Sequence, residues 1–548
     1  MTAAATLVPA RAARGGERLA GTGRLLRLAL RRDRVRLTAW LLGVAGLTVY
    51  ASAALETTYP TAADRQARGE VMSNPAAVML SGPGYGLEDY TLGAMVANEV
   101  ALTAMIAAAI MSVLLTVRHT RADEEDGRTE LVGAGAVGRR APLTAALALV
   151  GLADAAIALL VTAGLAGSGF AGADSLAVGA GIGLTGLVFG SVAAVTAQLT
   201  AYARAASGTA LAVLATAAVV RGAGDVLREG GSALSWFSPI AWAQQTRAFV
   251  DLRWWPLALS AVLVAALVRT AYELVGRRDV GAGLVPPRPG PAAASERLTG
   301  VVALAARLQR AAILGWGVAV LLLGVVYGSI TDSVTDLLAE NERVAEALEA
   351  IGGAGSLADS FAATIGLYLT LVVAAFAVSS VLRVHGEETA GRAGLMLAAA
   401  VDRRRLLGGS LAVTVAAAVL LTVVAGLGTG LAAAAVTGDA DQLGRLFGAV
   451  LTPLPAVLVV AGVAAVLVGI APGRAVLAWA AVAWVVLVGL FGPLLKLPEW
   501  VTRLSPFGWL PAVPAEPADP APLVGLTLLA AALVAVALAG FRRRDLTA

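Results

Sequence analysis

The sequence predicts an all-α polytopic membrane protein of about twelve transmembrane helices, arranged as two parallel six-helix repeats. Three observations predict it: an apolar composition, apolar stretches of spanning length throughout the chain, and two charged segments that read as copies of one another. The 548 residues are 58% hydrophobic and 14% charged, more apolar surface than a soluble domain of this size buries. A hydrocarbon core about 30 Å thick takes roughly 20 apolar residues at 1.5 Å rise each. Lipid offers backbone groups no partners, so such spans are helices.

The chain begins with a basic segment, residues 1–36, carrying nine Arg. Within it, "RLLRLALRRDRVR" at 24–36 alternates Leu and Arg at helical spacing, which suits either a set of positive-inside anchors or, the reading preferred, a helix lying in the cytoplasmic interface. No small-residue cleavage site follows the first span, so a removed signal is not expected. The first half, 37–280, holds spans at 37–54, 93–117, 142–166, 175–199, 207–221 and 254–276. A Pro-rich linker, "GAGLVPPRPGPAAASE" at 281–296, leads to the second half, 297–548. Its spans fall at 312–330, 363–383, 407–435, 446–470, 475–494 and 522–541.

Charge tests this count. With the N-terminus inside, the inward segments hold 31 of the 41 Lys and Arg residues, the bias of the positive-inside rule. Both termini are then cytoplasmic. Acidic residues lean outward, as in "DLLAENERVAEALEA" at 336–350. The chain has no Cys, which leaves neither disulfides nor thiol chemistry. Its two histidines, His119 and His385, sit near the charged bends and suit packing better than metal binding.

The charged segments follow spans two and eight, so the chain repeats after six helices. At an offset of 264, Asp123 and Glu124 match Glu387 and Glu388, Gly127 and Arg128 match Gly391 and Arg392, and Arg139 and Arg140 match Arg403 and Arg404. "SPIAW" at 238–242 recurs as "SPFGW" at 505–509, "GRRD" at 276–279 as "RRRD" at 542–545, and Trp40 and Tyr50 as Trp316 and Tyr327. Shared order makes chance a poor explanation. Six is even, so both copies enter from the same side, with a pathway expected between the halves.

Two kinds of transporter have such halves. Major-facilitator carriers bear a Gly, Asp, Arg and "GRR" pattern after the second span, of which "GAGAVGRR" at 133–140 keeps the basic pair but lacks the central Asp. The segments "EEDGRTEL" and "EETAGR", the pair "SPIAWAQQTRAF" and "SPFGWLPA", and "NP" at 74–75 resemble ABC-2 type transporter permeases. The likeness is to tandem twelve-helix actinobacterial subunits of the tetronasin-resistance and polyketide-antibiotic exporter kind. The resemblance implies a permease in the plasma membrane of a bacterium that exports hydrophobic or amphipathic compounds by alternating access. Two copies of a separate ABC ATPase would bind it. ATP and Mg would sit on those partners, with no cofactor, metal or catalytic residue in this chain and no nucleic-acid partner. An absence agrees: the only Lys is Lys496, so no ordinary phosphate-binding loop exists here.

The resemblance also implies coupling helices at about 120–132 and 384–396, pushed by the ATPases. Their candidate residues are Asp123, Glu124, Glu125, Gly127, Arg128 and Glu130, with Glu387, Glu388, Gly391 and Arg392. Glu124–Arg128 and Glu388–Arg392 are four apart with the acid first, which predicts helical ion pairs worth about 0.2–0.5 kcal/mol each. Thr389 and Gly394 replace two first-copy acids, which predicts unequal coupling. Toward the other face, Ser238, Pro239 and Trp242, with Ser505, Pro506 and Trp509, suit an outer gate, since Pro rigidifies a break. A headgroup-level aromatic belt also accounts for the Trp. Inside the membrane, Glu99, Asp154 and Arg269 are costly polar groups. They serve either a cationic substrate or proton, or a structural contact such as an Asp154–Arg269 pair. An ion-coupled carrier and a non-transporting assembly subunit remain the alternative functions.

Overall fold

The computed structural model describes residues 18–545, except 74, 287–289, 291, 330, 332–356, 400 and 492–497. The acidic stretch 336–350, Asn74 and Lys496 lie outside the described residues. Those described form helices and no strand. Among the described residues, twelve helices are long and apolar enough to cross a membrane. Spans one to six are Arg34–Thr58, Leu92–Glu125, Ala141–Gly167, Gly172–Leu199, Ala203–Leu227 and Trp255–Val275. Spans seven to twelve are Val301–Ser329, Ala358–Thr389, Arg403–Thr437, Asp441–Ile470, Pro472–Leu490 and Pro520–Arg543. Every predicted span overlaps one of them. The all-α polytopic class is therefore correct.

The chain divides into two compact units, Met1–Gly290 and Pro291–Ala548, each carrying six spans. In the first unit, spans two and four are the most enclosed, and their buried faces meet through Met105, Ala108, Ile182 and Phe189. The amphipathic segment ahead of span one is helical over Thr22–Arg32 and packs on span three. In the second unit, span eight contributes Leu369, Val373, Phe376 and Ala377 to a core shared with spans nine and ten. Spans seven and nine approach so closely that a Cβ at Gly324 or Gly328 would lie 2.6 or 2.2 Å from the carbonyl oxygen of Ala425 or Thr429. Only glycine permits that contact.

Boundary differences have local causes. Span five is 25 residues long, not the short stretch expected at 207–221. Arg221 and Asp225 lower its apparent hydropathy, yet both are buried and paired at 3.3 Å. Span ten breaks between Leu451 and Leu454, where Pro453 cannot continue the helix. Span two runs eight residues past its predicted end at 117, to Glu125, and this extension builds the candidate site.

Candidate functional site: the two elbows

Span two leaves its apolar run through a π-helical turn, Arg118–Ala122, and ends in the carboxylates Asp123, Glu124 and Glu125. Each grips a different element. Asp123 accepts from Arg32 of the N-terminal helix at 2.9 Å. Glu124 takes two hydrogen bonds from Arg278, beyond span six, at 2.5 and 2.8 Å, and pairs with Arg121 at 3.0 Å. Glu125 accepts the backbone N–H of Ala203 at 2.9 Å, one of the donors left open at the start of span five.

The expected continuous helix at 120–132 is instead two pieces. Gly127 is left-handed, with φ 71°, and a short helix, Arg128–Gly133, follows it. This break also corrects the expected Glu124–Arg128 pair, because four-residue spacing brings side chains together only along unbroken helix. Arg128 turns to Asp123 and Asp126, both at 2.8 Å. Glu124 is left for Arg278, whose side chain is 7% exposed against 11% for the acid.

The second unit repeats the arrangement. Span eight ends at Thr389, Gly391 has φ 72°, and a short helix covers Arg392–Ala398. Glu388 takes two hydrogen bonds from Arg544, each 2.5 Å, and Arg392 donates to Glu387 at 2.5 Å. The segment expected at 384–396 is thus also divided, and Glu388 is held by the far end of span twelve. Arg278 and Arg544 are the third residues of "GRRD" and "RRRD". Each unit therefore ties the end of its second span to the residues after its last. No partner replaces Glu125 in kind: Thr389 bonds its own helix at His385 O, 3.1 Å.

Behind the first elbow lies a buried carboxylate the sequence reading passed over. Asp33, between the N-terminal helix and span one, accepts from Arg118 Nε at 3.0 Å and meets His119 Nε2 at 2.6 Å. Burial alone would raise its pKa, but the bonds from Arg118 and His119 outweigh that and hold the carboxyl below its ordinary value. Two further residues were illegible: Leu131 and Leu395, each three residues into its elbow helix after Arg128 or Arg392, are 80% and 76% exposed. Their positions differ by the repeat offset of 264, the one signal that could have paired them.

At the opposite end of each unit, Ser238 and Pro239 start the helix Pro239–Gln244, and Ser505 and Pro506 start the turn Pro506–Trp509. Both tryptophans bond a backbone carbonyl six residues back: Trp242 donates to Trp236 at 2.8 Å, Trp509 to Arg503 at 2.7 Å. Trp236 stacks on Trp255 at the start of span six, 5.2 Å between rings. Under the first of these turns lies a polar core missed in the sequence. Arg221 and Asp225 meet Gln244 and Ser235, while Tyr85 donates to Gln245.

The three intramembrane residues do not converge. Glu99 pairs with Arg68 at 2.7 Å and accepts from Tyr90 at 3.0 Å. Asp154 is fully buried and accepts from Ser112 Oγ at 2.8 Å. Arg269 does not reach it: that side chain is 82% exposed and pairs with Glu273 at 3.0 Å. The physical reason is facing. Span six buries little of itself, whereas Asp154 points to span four, where a Cβ at Gly186 would lie 2.2 Å from its Oδ1.

Twelve described helices long and apolar enough to span a bilayer define an all-α, multi-pass membrane protein. Comparison with known proteins makes this specific. The family model described as "Multidrug efflux system permease Rv1217c, C-terminal domain" matches residues 23–273 and 298–542. The multidrug efflux system permease protein Rv1217c of Mycobacterium tuberculosis (strain ATCC 25618 / H37Rv) is 40% identical over 543 residues, covering 98% of this chain and 97% of that protein. The chain belongs to the Rv1217c multidrug efflux permease family.

Proposed function

We propose that the chain is the transmembrane subunit of an ABC-2 type exporter that moves hydrophobic or amphipathic compounds outward by alternating access. Two copies of a separate ATPase, carrying ATP and Mg, drive it from the cytoplasmic side of a bacterial plasma membrane. The family membership supports efflux, and the relative's name supports drug-like cargo. The observation that carries the ATPase reading is the exposure of Leu131 and Leu395, at 80% and 76%. An exposed leucine on each elbow, at one repeat position, suits a partner's apolar socket.

The elbow carboxylates divide the labour in this reading. Asp126 and Glu130 are exposed beside Leu131 and meet basic groups of the partner. Glu124 and Glu388 act as struts behind the docking face, so that a push on an elbow moves spans two and six, or eight and twelve, together. Asp123, Glu125, Gly127, Arg128, Glu387, Gly391 and Arg392 set the shape of that lever. The turns at Ser238, Pro239 and Trp242, and at Ser505, Pro506 and Trp509, form the gate at the far end. The six-plus-six parallel plan is supported by the repeated strut, glycine break and indole bond, and by the two segments the family model matches.

Co-purification of the permease with an ABC ATPase from its native host tests the reading. Leu131→Asp with Leu395→Asp loses the ATPase while the permease stays in the membrane, and ATP-driven export stops. Export that persists in vesicles without ATP and collapses with the proton gradient would instead establish an ion-coupled carrier.

A further inference from the structure

We propose that each unit carries a binding face for the anionic headgroups of membrane phospholipids, built from Arg24, Arg27 and Arg31 ahead of span one and from Arg307 and Arg310 in span seven. The proposal needs only the membrane-spanning fold and stands apart from the ATPase reading.

In the first unit, Arg24, Arg27 and Arg31 are three and four residues apart in the helix Thr22–Arg32, so they share one side of it. The opposite side carries Ala29, which is buried in the first unit's core. In the second unit, Arg307, Arg310 and Leu314 have the same spacing within Val301–Ser329 and lie opposite Gln309, which is 1% exposed. The repeat relates the two faces: Arg31 and Arg34 stand nine and six residues before Trp40, as Arg307 and Arg310 stand before Trp316. All of these arginines are exposed, and among the described residues none of them meets a carboxylate. Their inward neighbours do: Arg32 pairs with Asp123, while Arg36 and Arg118 pair with Asp33.

Arginines alone would make a solvated face, but these are interleaved with large apolar side chains. Leu28, one turn past Arg24, is 58% exposed, and Leu314, one turn past Arg310, is 69% exposed. Water disfavours the leucines and the hydrocarbon core disfavours the guanidinium groups, whereas headgroup depth, where each helix enters the bilayer, suits both. A guanidinium gives a phosphate two parallel N–H···O bonds. A phospholipid with no cationic group beside that phosphate keeps its full charge for them, so an anionic lipid is preferred to a zwitterionic one. The exposed elbow residue Leu131 has Asp126 and Glu130 nearby instead, so the two surfaces select partners of opposite charge. Behind each arginine face lies a bond to the span that ends at an elbow: Asp33 to Arg118 and His119, and Gln309 to Ser380 at 2.5 Å. A held headgroup therefore braces the elbow-bearing span of its own unit.

The test uses the full chain in maltoside detergent, without ATP or partner, with bound lipid counted by native mass spectrometry. The probes are dioleoyl phosphatidylglycerol and dioleoyl phosphatidylcholine. The unmodified chain should hold the anionic lipid about tenfold more tightly than the zwitterionic one. Combining Arg24→Gln, Arg27→Gln and Arg31→Gln with Arg307→Gln and Arg310→Gln should bring that preference close to unity and leave phosphatidylcholine binding unchanged. The control changes five exposed arginines elsewhere, Arg204→Gln, Arg277→Gln, Arg404→Gln, Arg405→Gln and Arg542→Gln, and should keep the preference. If the combined variant is not recovered, the two faces are changed separately, and each should lose part of the preferred lipid. No preference in the unmodified chain, its survival in the face variants, or an equal loss in the control overturns the proposal. So does displacement of phosphatidylglycerol by inorganic phosphate, which would make the faces sites for a soluble anion.

Discussion

Replacing Glu124 with Ala should be among the most damaging single changes outside the membrane core. The acid is 11% exposed, and its loss strands Arg278, 7% exposed, together with the buried Arg121. Removing one partner of a buried, hydrogen-bonded pair costs about 3–5 kcal/mol, and the residual exposure argues for the lower figure. At about 2–4 °C per kcal/mol for a unit of this size, unfolding should drop by roughly 6–12 °C. Thermal unfolding in detergent, followed by intrinsic fluorescence, reads this directly. Glu130→Ala is the control, since that side chain is exposed in the same elbow and a surface change alters stability by under about 0.5 kcal/mol. Adding Arg278→Met to Glu124→Ala should cost less than Arg278→Met alone, because the charge it removes is already stranded. Equal shifts for Glu124→Ala and Glu130→Ala would refute the strut. The same cycle at Glu388 and Arg544 should give the same sign.

Three further outcomes follow from the same geometry. Gly127→Ala and Gly391→Ala should each lose about 1–2 kcal/mol; with no atom within 4 Å of either added Cβ, the cost is conformational, and thermal shifts should match in the two elbows. Gly386→Ala, inside span eight with equally open space, should gain slightly. Charge exchange of Asp154→Arg with Arg269→Asp should fold no better than Asp154→Arg alone in fluorescence size exclusion, because Arg269 faces outward to Glu273; rescue would restore the discarded pair. The folded state holds the Asp33 carboxyl below its ordinary 3.8, so its contribution is complete above that value and is lost as pH falls through the depressed one. Asp33→Asn should therefore be less stable than the parent at pH 6, with the gap closing below about pH 3.8.

Span positions were legible because a bilayer demands length and apolarity, both linear properties of sequence. The elbows were legible for a similar reason: a burst of charge between greasy spans stands out, and its repetition stands out more. What stayed hidden was the partner of each charge. Glu124 and Arg128 have the right spacing for a pair, but one left-handed glycine between them diverts both, and Arg278 lies 154 residues away. Gly127 was matched to Gly391 as a letter, yet its effect on register is a matter of backbone angle. Span five runs past its expected end at 221 because hydropathy counts Arg221 and Asp225 singly and cannot see that they pair. Leu131 and Leu395 carry no chemical signature in sequence; only their exposure marks them.

The proposed transport cycle requires both elbows to face the same side of the membrane and to meet the same kind of motor. The absence of native cysteine allows a clean test with single substitutions at Gly135 and Arg404, each beside an elbow and exposed. A membrane-impermeant maleimide should label neither in intact cells and both in inverted vesicles. Labelling of one site from outside and the other from inside would contradict the parallel halves and the drive proposed for them.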